Sequence, residues 1–447
     1  MERVILTTGG TGGHIFPALA VAEEIRRRYP RAMLLFMGGK FGMEADIAVN
    51  AGLDFVGLPV RGVMGRGLRG AGAAFGMARA VGAAMGHIRK MKPQLVVGFG
   101  GYAAFAGVLA ARLSGVKTAV HEQNAFPGMT NKMLGRVVNR VFLSMPDRSG
   151  SFDPAKCLLV GNPVRAGFVE LYERGLEGPA MHKAGPETET PQGKSWYGGV
   201  DAPSPFSNTP VTTGPVPASP DTADAPCAGQ AGHGAASPAE PGSPGSVPAA
   251  SEGQRADLSQ RPPRLLVVGG SQGAKALNDG MIASAAALLE AEVEIWHQTG
   301  QADYERVRKA YREAKAEHVR VEPFIVDMPK ACAWADLFFG RAGASSIAEL
   351  TSAGLPALFA PFPHAAQNHQ LQNARYLEEE GAASVLEQKD FTPPSGKSDR
   401  LVEALLSLLC DNDRLQAMAL KSLTLAKPYA ARDLVDSLET LLTGAGN

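Results

Sequence analysis

Twice along this 447-residue chain a short run of aliphatic and β-branched residues ends abruptly in glycines and opens a helix. The first is Val4-Ile5-Leu6-Thr7-Thr8, which runs into Gly9-Gly10-Thr11-Gly12-Gly13-His14 with Pro17 just inside the helix that follows. The second is Leu265-Leu266-Val267-Val268, which runs into Gly269-Gly270-Ser271-Gln272-Gly273-Ala274. A strand that turns this tightly into a helix belongs to a βαβ unit of a parallel sheet. Glycines there let backbone N–H groups approach a phosphate or sugar at the helix N-terminus, where the dipole favours negative charge. The G-x-G-x-x-G spacing of a dinucleotide site is missing, and Met37-Gly38-Gly39 ends the second strand without a ribose-binding acid. Neither turn carries the Gly-Lys-Ser/Thr of a P-loop.

The same alternation continues on both sides of a break. Strands are expected at 3–7, 32–37, 55–58, 94–98, 118–121, 140–143 and 157–160, and again at 265–268, 294–297, 319–321, 337–339, 357–359 and 384–386, with helices between them. The expected fold class is α/β, with two Rossmann-like domains facing each other across a cleft, the first over 1–165 and the second from 264 onward. Between 178 and 263 the composition changes to Pro, Gly, Ala, Ser and Thr, and half of the 32 prolines fall there. Such a segment buries too little apolar surface to offset its ordering entropy, so a disordered insertion is expected. Cys157, Cys227, Cys332 and Cys410 are too scattered for a disulfide framework or a zinc site. Nothing reads as a signal peptide, and no apolar run approaches the ~20 residues of a spanning helix.

Formal net charge is zero but unevenly divided. Residues 1–165 hold 21 Lys and Arg against 9 Asp and Glu, and the rest of the chain holds 23 against 35. This asymmetry points the first half at an anionic partner, and few aromatics accompany the basic residues, which disfavours nucleic acid bound by stacking. In the helix expected from about 70 to 92, Met77, Val81, Ala84, Ile88 and Met91 follow helical spacing and should face the sheet. Phe75 and Arg79 fall on another face near Arg66, Leu68 and Arg69, which suits either acyl chains and acidic headgroups or plain solvation. A third anion-friendly turn, Gly340-Arg341-Ala342-Gly343-Ala344, opens a helix that carries Glu349 one turn in. That carboxylate suits ribose hydroxyls or the helix dipole. Asp411-Asn412-Asp413 reads as a turn and helix N-cap, so no metal site is expected.

Several runs carry a closer likeness: GGTGGHIFPALA at 9–20, GGY at 100–102, HEQNAFPGMTN at 121–131, GNPVR at 161–165, GGSQGA at 269–274, PFI at 323–325, RAGASSIAEL at 341–350 and HQLQNA at 369–374. Together they resemble the MurG family, whose members transfer N-acetylglucosamine (GlcNAc) from UDP-GlcNAc to lipid I, undecaprenyl-pyrophosphoryl-MurNAc-pentapeptide, and so make lipid II for peptidoglycan. The resemblance implies a GT-B glycosyltransferase fold: an acceptor and membrane domain at 1–165, a UDP-GlcNAc domain at 264–425 and a helix at 426–447 that returns to the first domain. It implies that Thr11, Gly12, Gly13, Asn124 and Arg165 line the cleft from one side. Ser271, Ile325, Ala344, Ser345, Ser346, Ile347, Ala348, Glu349 and Gln370 would bind UDP-GlcNAc from the other. Leu68, Arg69, Phe75 and Arg79 would meet the membrane. The expected setting is peripheral, on the cytoplasmic face of the bacterial inner membrane, with UDP-GlcNAc, lipid I, an anionic membrane surface and proteins of cell-wall synthesis as partners, and no cofactor. Three departures from the family are Ala342 in place of serine, Ala103-Ala104-Phe105-Ala106 after Tyr102, and the length of the insertion.

The implied reaction is an inverting displacement by the MurNAc C4 hydroxyl, which needs a base and positive potential on the departing diphosphate. His14 is the first candidate base, with loop orientation or diphosphate contact as its other reading. Glu122 is the second, with the alternative of holding the acceptor loop in shape. His121, His364 and His369 read as structural or positioning residues. Two competing classes are a GT-B transferase or epimerase acting on a soluble acceptor, and a nucleotide-sugar-binding scaffold without catalysis.

Overall fold

The computed structural model describes residues 1–9, 12–40, 44–60, 70–176, 261–270, 273–316, 318–365, 368–391 and 399–444. Thr11, Ser271, Leu68 and Arg69, and residues 178–260 of the expected insertion, lie outside them. The first half forms a parallel sheet from β1 (Arg3–Thr7), β2 (Met33–Gly39), β3 (Asp54–Leu58), β4 (Leu95–Gly98), β5 (Lys117–Glu122), β6 (Arg140–Leu143) and β7 (Cys157–Leu159), in the order β3-β2-β1-β4-β5-β6-β7. The second comprises β8 (Arg264–Val268), β9 (Glu294–Gln298), β10 (Arg320–Glu322), β11 (Leu337–Gly340), β12 (Ala357–Phe359) and β13 (Ala383–Val385), in the order β10-β9-β8-β11-β12-β13. Every strand lies within two residues of its expected span. This is the GT-B arrangement of two Rossmann-like sheets.

Each sheet is covered on both faces, which is why its strands are continuous apolar runs. In β1, Val4 and Leu6 enter one core cluster while Ile5 enters the cluster on the opposite face. The order reverses beside β1 and again beside β8, and the glycine-rich turns follow these two strands, so each half opens its switch point where ligands of such sheets bind.

Three local outcomes differ from expectation. The Gly70–Met91 helix buries Ala80, Ala84 and Ile88 against Ala103, Ala106 and Ala110 of the Gly101–Leu113 helix, so its apolar face meets a helix, with alanines allowing close approach. The described residues resume at Arg261, three before the expected boundary at 264. Its guanidinium holds the buried Asp336 carboxylate through two hydrogen bonds of 2.7 and 2.8 Å. The Ala166–Leu176 helix, continuous with the first half, packs on the second: Phe168 and Leu171 share a cluster with Phe338, Ile347 and Phe359.

The terminal helix Ala430–Thr443 crosses the other way. Leu434, Val435 and Leu438 join the first half's core with Ile15 and Leu19, and Arg28 pairs with Asp436 and Glu439. Leu434 is fully buried. Leu434→Ala is therefore expected to destabilise the first half by about 2–5 kcal/mol, read as an earlier urea midpoint; an unchanged midpoint would mean that this helix is not part of that core.

Candidate active site

Both glycine turns open on one cleft of about 1430 Å³. Gly12, Gly13, His14, Glu122, Asn124 and Arg165 line it from the first half, and Ile325, Ala344, Ser345, Ser346, Glu349 and Gln370 from the second. Ile347 and Ala348 do not line it. A helix turns 100° per residue, so with Ser345, Ser346 and Glu349 on the cleft side of the Ala344–Ser352 helix, Ile347 and Ala348 pack into the core instead.

The Gly100-Gly101 pair beneath the first turn explains its shape. Gly101 has φ +81°, and a Cβ there would lie 2.1 Å from the Gly9 carbonyl oxygen. A Cβ on Gly100 would lie 2.9 Å from the His14 ring. His14 thus sits against bare backbone, and its Nδ1 is shielded from solvent and has no hydrogen-bond partner among the described residues. Burial, helped by His369 across the cleft, draws its pKa down to about 4, so the ring is neutral at neutral pH and able to accept a proton.

Glu122 is spent differently. Oε1 accepts from the Asn124 N–H at 2.9 Å and from Asn124 Nδ2 at 3.1 Å; Oε2 accepts from the Gly128 N–H at 3.1 Å and from Asn131 Nδ2 at 2.9 Å. Burial pushes this carboxylate above its ordinary range while the four donors pull it back. Those bonds use the carboxylate's lone pairs to tie together residues 122–131, which is the loop-holding reading and leaves nothing to act as base. Behind it, His121 is held neutral: its Nε2–H donates to the Gly161 carbonyl at 3.0 Å and its Nδ1 accepts from Gln123 Nε2 at 3.1 Å.

On the other wall Glu349 is half-buried and accepts from Arg165 Nε at 2.9 Å and Nη2 at 2.7 Å, both on Oε1. Burial raises the Glu349 carboxyl and the Arg165 guanidinium opposes that rise. Ile325 is also engaged, since its N–H donates to Gln298 Oε1 at 2.9 Å while Gln298 Nε2 donates to the Gly270 carbonyl at 3.1 Å. Gln370 Oε1 accepts from the Phe362 N–H at 2.9 Å.

Sequence reasoning missed Gln298 and Arg341. Gln298 ties the second glycine turn to Ile325, and its signal was a polar residue ending the buried strand Glu294–Gln298. Arg341 lines the cleft beside the start of the Ala344–Ser352 helix and, among the described residues, donates to neutral acceptors, the Ala360 and Pro361 carbonyls and Gln388 Oε1. Burial lowers its pKa to about 10, which leaves it charged at neutral pH. Phe75 and Arg79 are both exposed, one turn apart on the Gly70–Met91 helix, and Phe75 is 73% exposed. Asp411 caps the Asn412–Leu425 helix by accepting from the Arg414 N–H at 2.9 Å.

Residues 4–143 match the glycosyltransferase family 28 N-terminal domain, and residues 264–435 match the glycosyltransferase family 28 C-terminal domain. A curated relative from Nitratidesulfovibrio vulgaris (strain Miyazaki F), UDP-N-acetylglucosamine--N-acetylmuramyl-(pentapeptide) pyrophosphoryl-undecaprenol N-acetylglucosamine transferase, is 47% identical over 100% of this chain and 99% of its own length. A relative of the same name from Solidesulfovibrio magneticus is 40% identical over the full length of both chains. The crystal structure of Acinetobacter baumannii MurG superposes with a TM-score of 0.67 at 26% identity, covering 98% of this chain and 100% of that one.

Two buried histidines make the protein acid-sensitive. His121 has its pKa lowered to about 4, chiefly by burial. His297 is lowered to about 3 where its Nε2–H donates to Asn278 Oδ1 and its Nδ1 accepts from the Tyr311 hydroxyl. Below the unfolded value of ~6.5 the unfolded chain binds more protons than the folded one, so stability falls as pH drops. By pH 4.5 each should cost about 2–3 kcal/mol. Urea unfolding of wild type and His297→Gln at pH 7 and pH 4.5 measures this: the wild type should lose more stability than the variant, and equal losses would refute the assignment.

Proposed function

The chain belongs to glycosyltransferase family 28, within the MurG line, and on that premise we infer that it is the inverting UDP-GlcNAc-dependent hexosyltransferase that moves GlcNAc onto lipid I to give lipid II for peptidoglycan synthesis. The observation that carries the division of labour is a neutral histidine whose Nδ1 has no hydrogen-bond partner among the described residues, on the same cleft as Arg341 and the first turn of the Ala344–Ser352 helix.

In this reading residues 264–425 hold the donor. The uracil edge meets the backbone at Ile325 beside Gln298, the ribose hydroxyls reach Glu349, and Gln370 and Asn124 meet sugar hydroxyls. The diphosphate lies over the first turn of the Ala344–Ser352 helix, where the N–H groups of Ser345 and Ser346 add to Ser271 and the positive charge of Arg341 and Arg165. Residues 1–165, closed by the helix within 426–447, hold the acceptor, whose diphosphate meets Thr11, Gly12 and Gly13. His14 removes the proton from the MurNAc C4 hydroxyl as that oxygen attacks the anomeric carbon. The C1–O bond to UDP breaks, its electrons pass to the diphosphate, and the configuration inverts to a β-1,4 linkage. Glu122 shapes the acceptor loop and takes no proton.

No helix among the described residues is long and apolar enough to cross a membrane. Reaching a polyprenyl acceptor from outside the bilayer calls for a docking face. Exposed Phe75 and Arg79, with Leu68 and Arg69, supply an apolar contact and basic charge, and each basic residue near an anionic leaflet adds ~1 kcal/mol. This makes the protein peripheral on the cytoplasmic face, beside other proteins of cell-wall synthesis.

Purified protein given UDP-GlcNAc and a short-chain lipid I analogue in EDTA should release UDP. His14→Ala should lower turnover about 10²–10⁴-fold while calorimetric UDP affinity stays within about twofold. Tight donor binding without turnover would remove the lipid I assignment, and near-normal turnover in the variant would remove the base. Phe75→Ser with Arg79→Ser should abolish flotation with vesicles containing anionic lipid; retained flotation would move the docking face elsewhere.

A further inference from the structure

Among the described residues, one fully buried side chain joins the two halves beside the cleft. Asn373, on the His369–Glu379 helix of the second half, is fully buried and does not line the cleft. Its Oδ1 accepts from the Ala125 N–H at 3.1 Å in the first half. Its Nδ2 donates to Asn124 Oδ1 at 3.1 Å, also in the first half, and to the Ala342 carbonyl at 3.3 Å in the second. The backbone partners fix which way this amide points, because an N–H needs an acceptor and a carbonyl needs a donor. Asn124 is oriented in turn: with its oxygen taken by Asn373, its Nδ2 and backbone N–H both go to Glu122.

We propose that Asn373 is a positioning residue that sets the register between the acceptor loop and the donor's diphosphate helix, a bridge from Glu122 through Asn124 and Asn373 to Ala342. Ala342 precedes Gly343, the N-cap of the Ala344–Ser352 helix. One side chain therefore ties the residue beside the transferred sugar to the turn that holds the departing diphosphate, and an error of an ångström in that register separates the reacting groups. Arg148 also pairs across the halves, with Glu379, but on the exposed rim, where such a pair contributes little.

Asn373→Ala removes the bridge. Asn373→Asp keeps the acceptor for Ala125 but presents a second oxygen to the Asn124 and Ala342 oxygens, so relief requires Asn124 to flip and turn its own oxygen on Glu122. The inference rests on the transferase reading for its turnover arm and not for its exchange arm. At saturating UDP-GlcNAc and lipid I analogue, Asn373→Ala should lower turnover at least tenfold and Asn373→Asp at least as much. Calorimetric UDP affinity should stay within twofold in both, and amide exchange in a peptide covering 123–128 should speed up in Asn373→Ala, where Ala125 loses its acceptor. Arg148→Ala should stay within twofold of wild type in all three readouts. Turnover within twofold for Asn373→Ala, unchanged exchange over 123–128, a loss of UDP affinity matching the loss of turnover, or equal effects in Arg148→Ala would each overturn the proposal. Should Asn373→Ala fail to fold, Asn373→Ser, which keeps one hydroxyl on a shorter arm, is held to the same criteria. A wild type without turnover would count against the transferase reading alone, and the exchange arm would still decide the bridge.

Discussion

The closed cleft depends on the Arg165–Glu349 pair. A carboxylate withdrawn from water costs several kcal/mol unless a cation stands beside it, and the helix dipole near Glu349 offsets only about 0.3–1 kcal/mol of that. The cation comes from the other half, 184 residues earlier in the chain. Arg165 is itself steadied by the ring of Phe168, 5.4 Å from its guanidinium carbon, and Phe168 sits in a core cluster built mostly from the second half. The donor wall thus has its charge balanced only when the halves are together, and the apolar cluster that joins them takes in Val164 and Phe168 on either side of the arginine.

Within that enclosure the surroundings separate the charged groups by role. The same burial that lowers His14 to about 4 lowers Arg341 only to about 10, so at neutral pH one wall offers a neutral ring and the other a full positive charge. A base is useful only when unprotonated and a leaving diphosphate is helped only by groups that stay protonated, so two cationic residue types serve opposite ends of one displacement. Arg341 has neutral hydrogen-bond acceptors where a carboxylate would have cancelled its field. Its place beside a helix N-terminus then adds to the dipole.

Most of this fold was legible in the sequence because its signals are local. A β-branched run ending in glycines needs only its neighbours to be read, and β1, β8 and the turns after them fall where the pattern predicts. Helical periodicity separates Ser345, Ser346 and Glu349 from Ile347 and Ala348, and treating the whole run as a binding segment ignored that spacing. What could not be read was partnership over distance. Glu122 reads in sequence as a candidate base or a loop-holding carboxylate, and only the convergence of Asn124, Gly128 and Asn131 shows its lone pairs occupied. Gln298 and Asn373 are neutral amides with no motif of their own, and their meaning lies in Gly270 and Ile325 for one and in residues 124, 125 and 342 for the other. The Gly70–Met91 helix shows an apolar face in sequence, but periodicity does not say whether a sheet or another helix will cover it.

Among the described residues the chain crosses between halves near Gly161 and again near Lys427, and these two crossings touch. Gly161 has φ +92°, and a Cβ there would lie 2.1 Å from Cβ of Lys427, so the first crossing presses bare backbone on the second. The Gly161 carbonyl also accepts from His121, which stands directly before the Glu122 knot. On the far side of the second crossing, the Asn412–Leu425 helix packs on the donor helix Ala344–Ser352, while the terminal helix is sealed into the first core. Both crossings are thus fixed to one another and, through His121, to the strand that leads into the Glu122 knot.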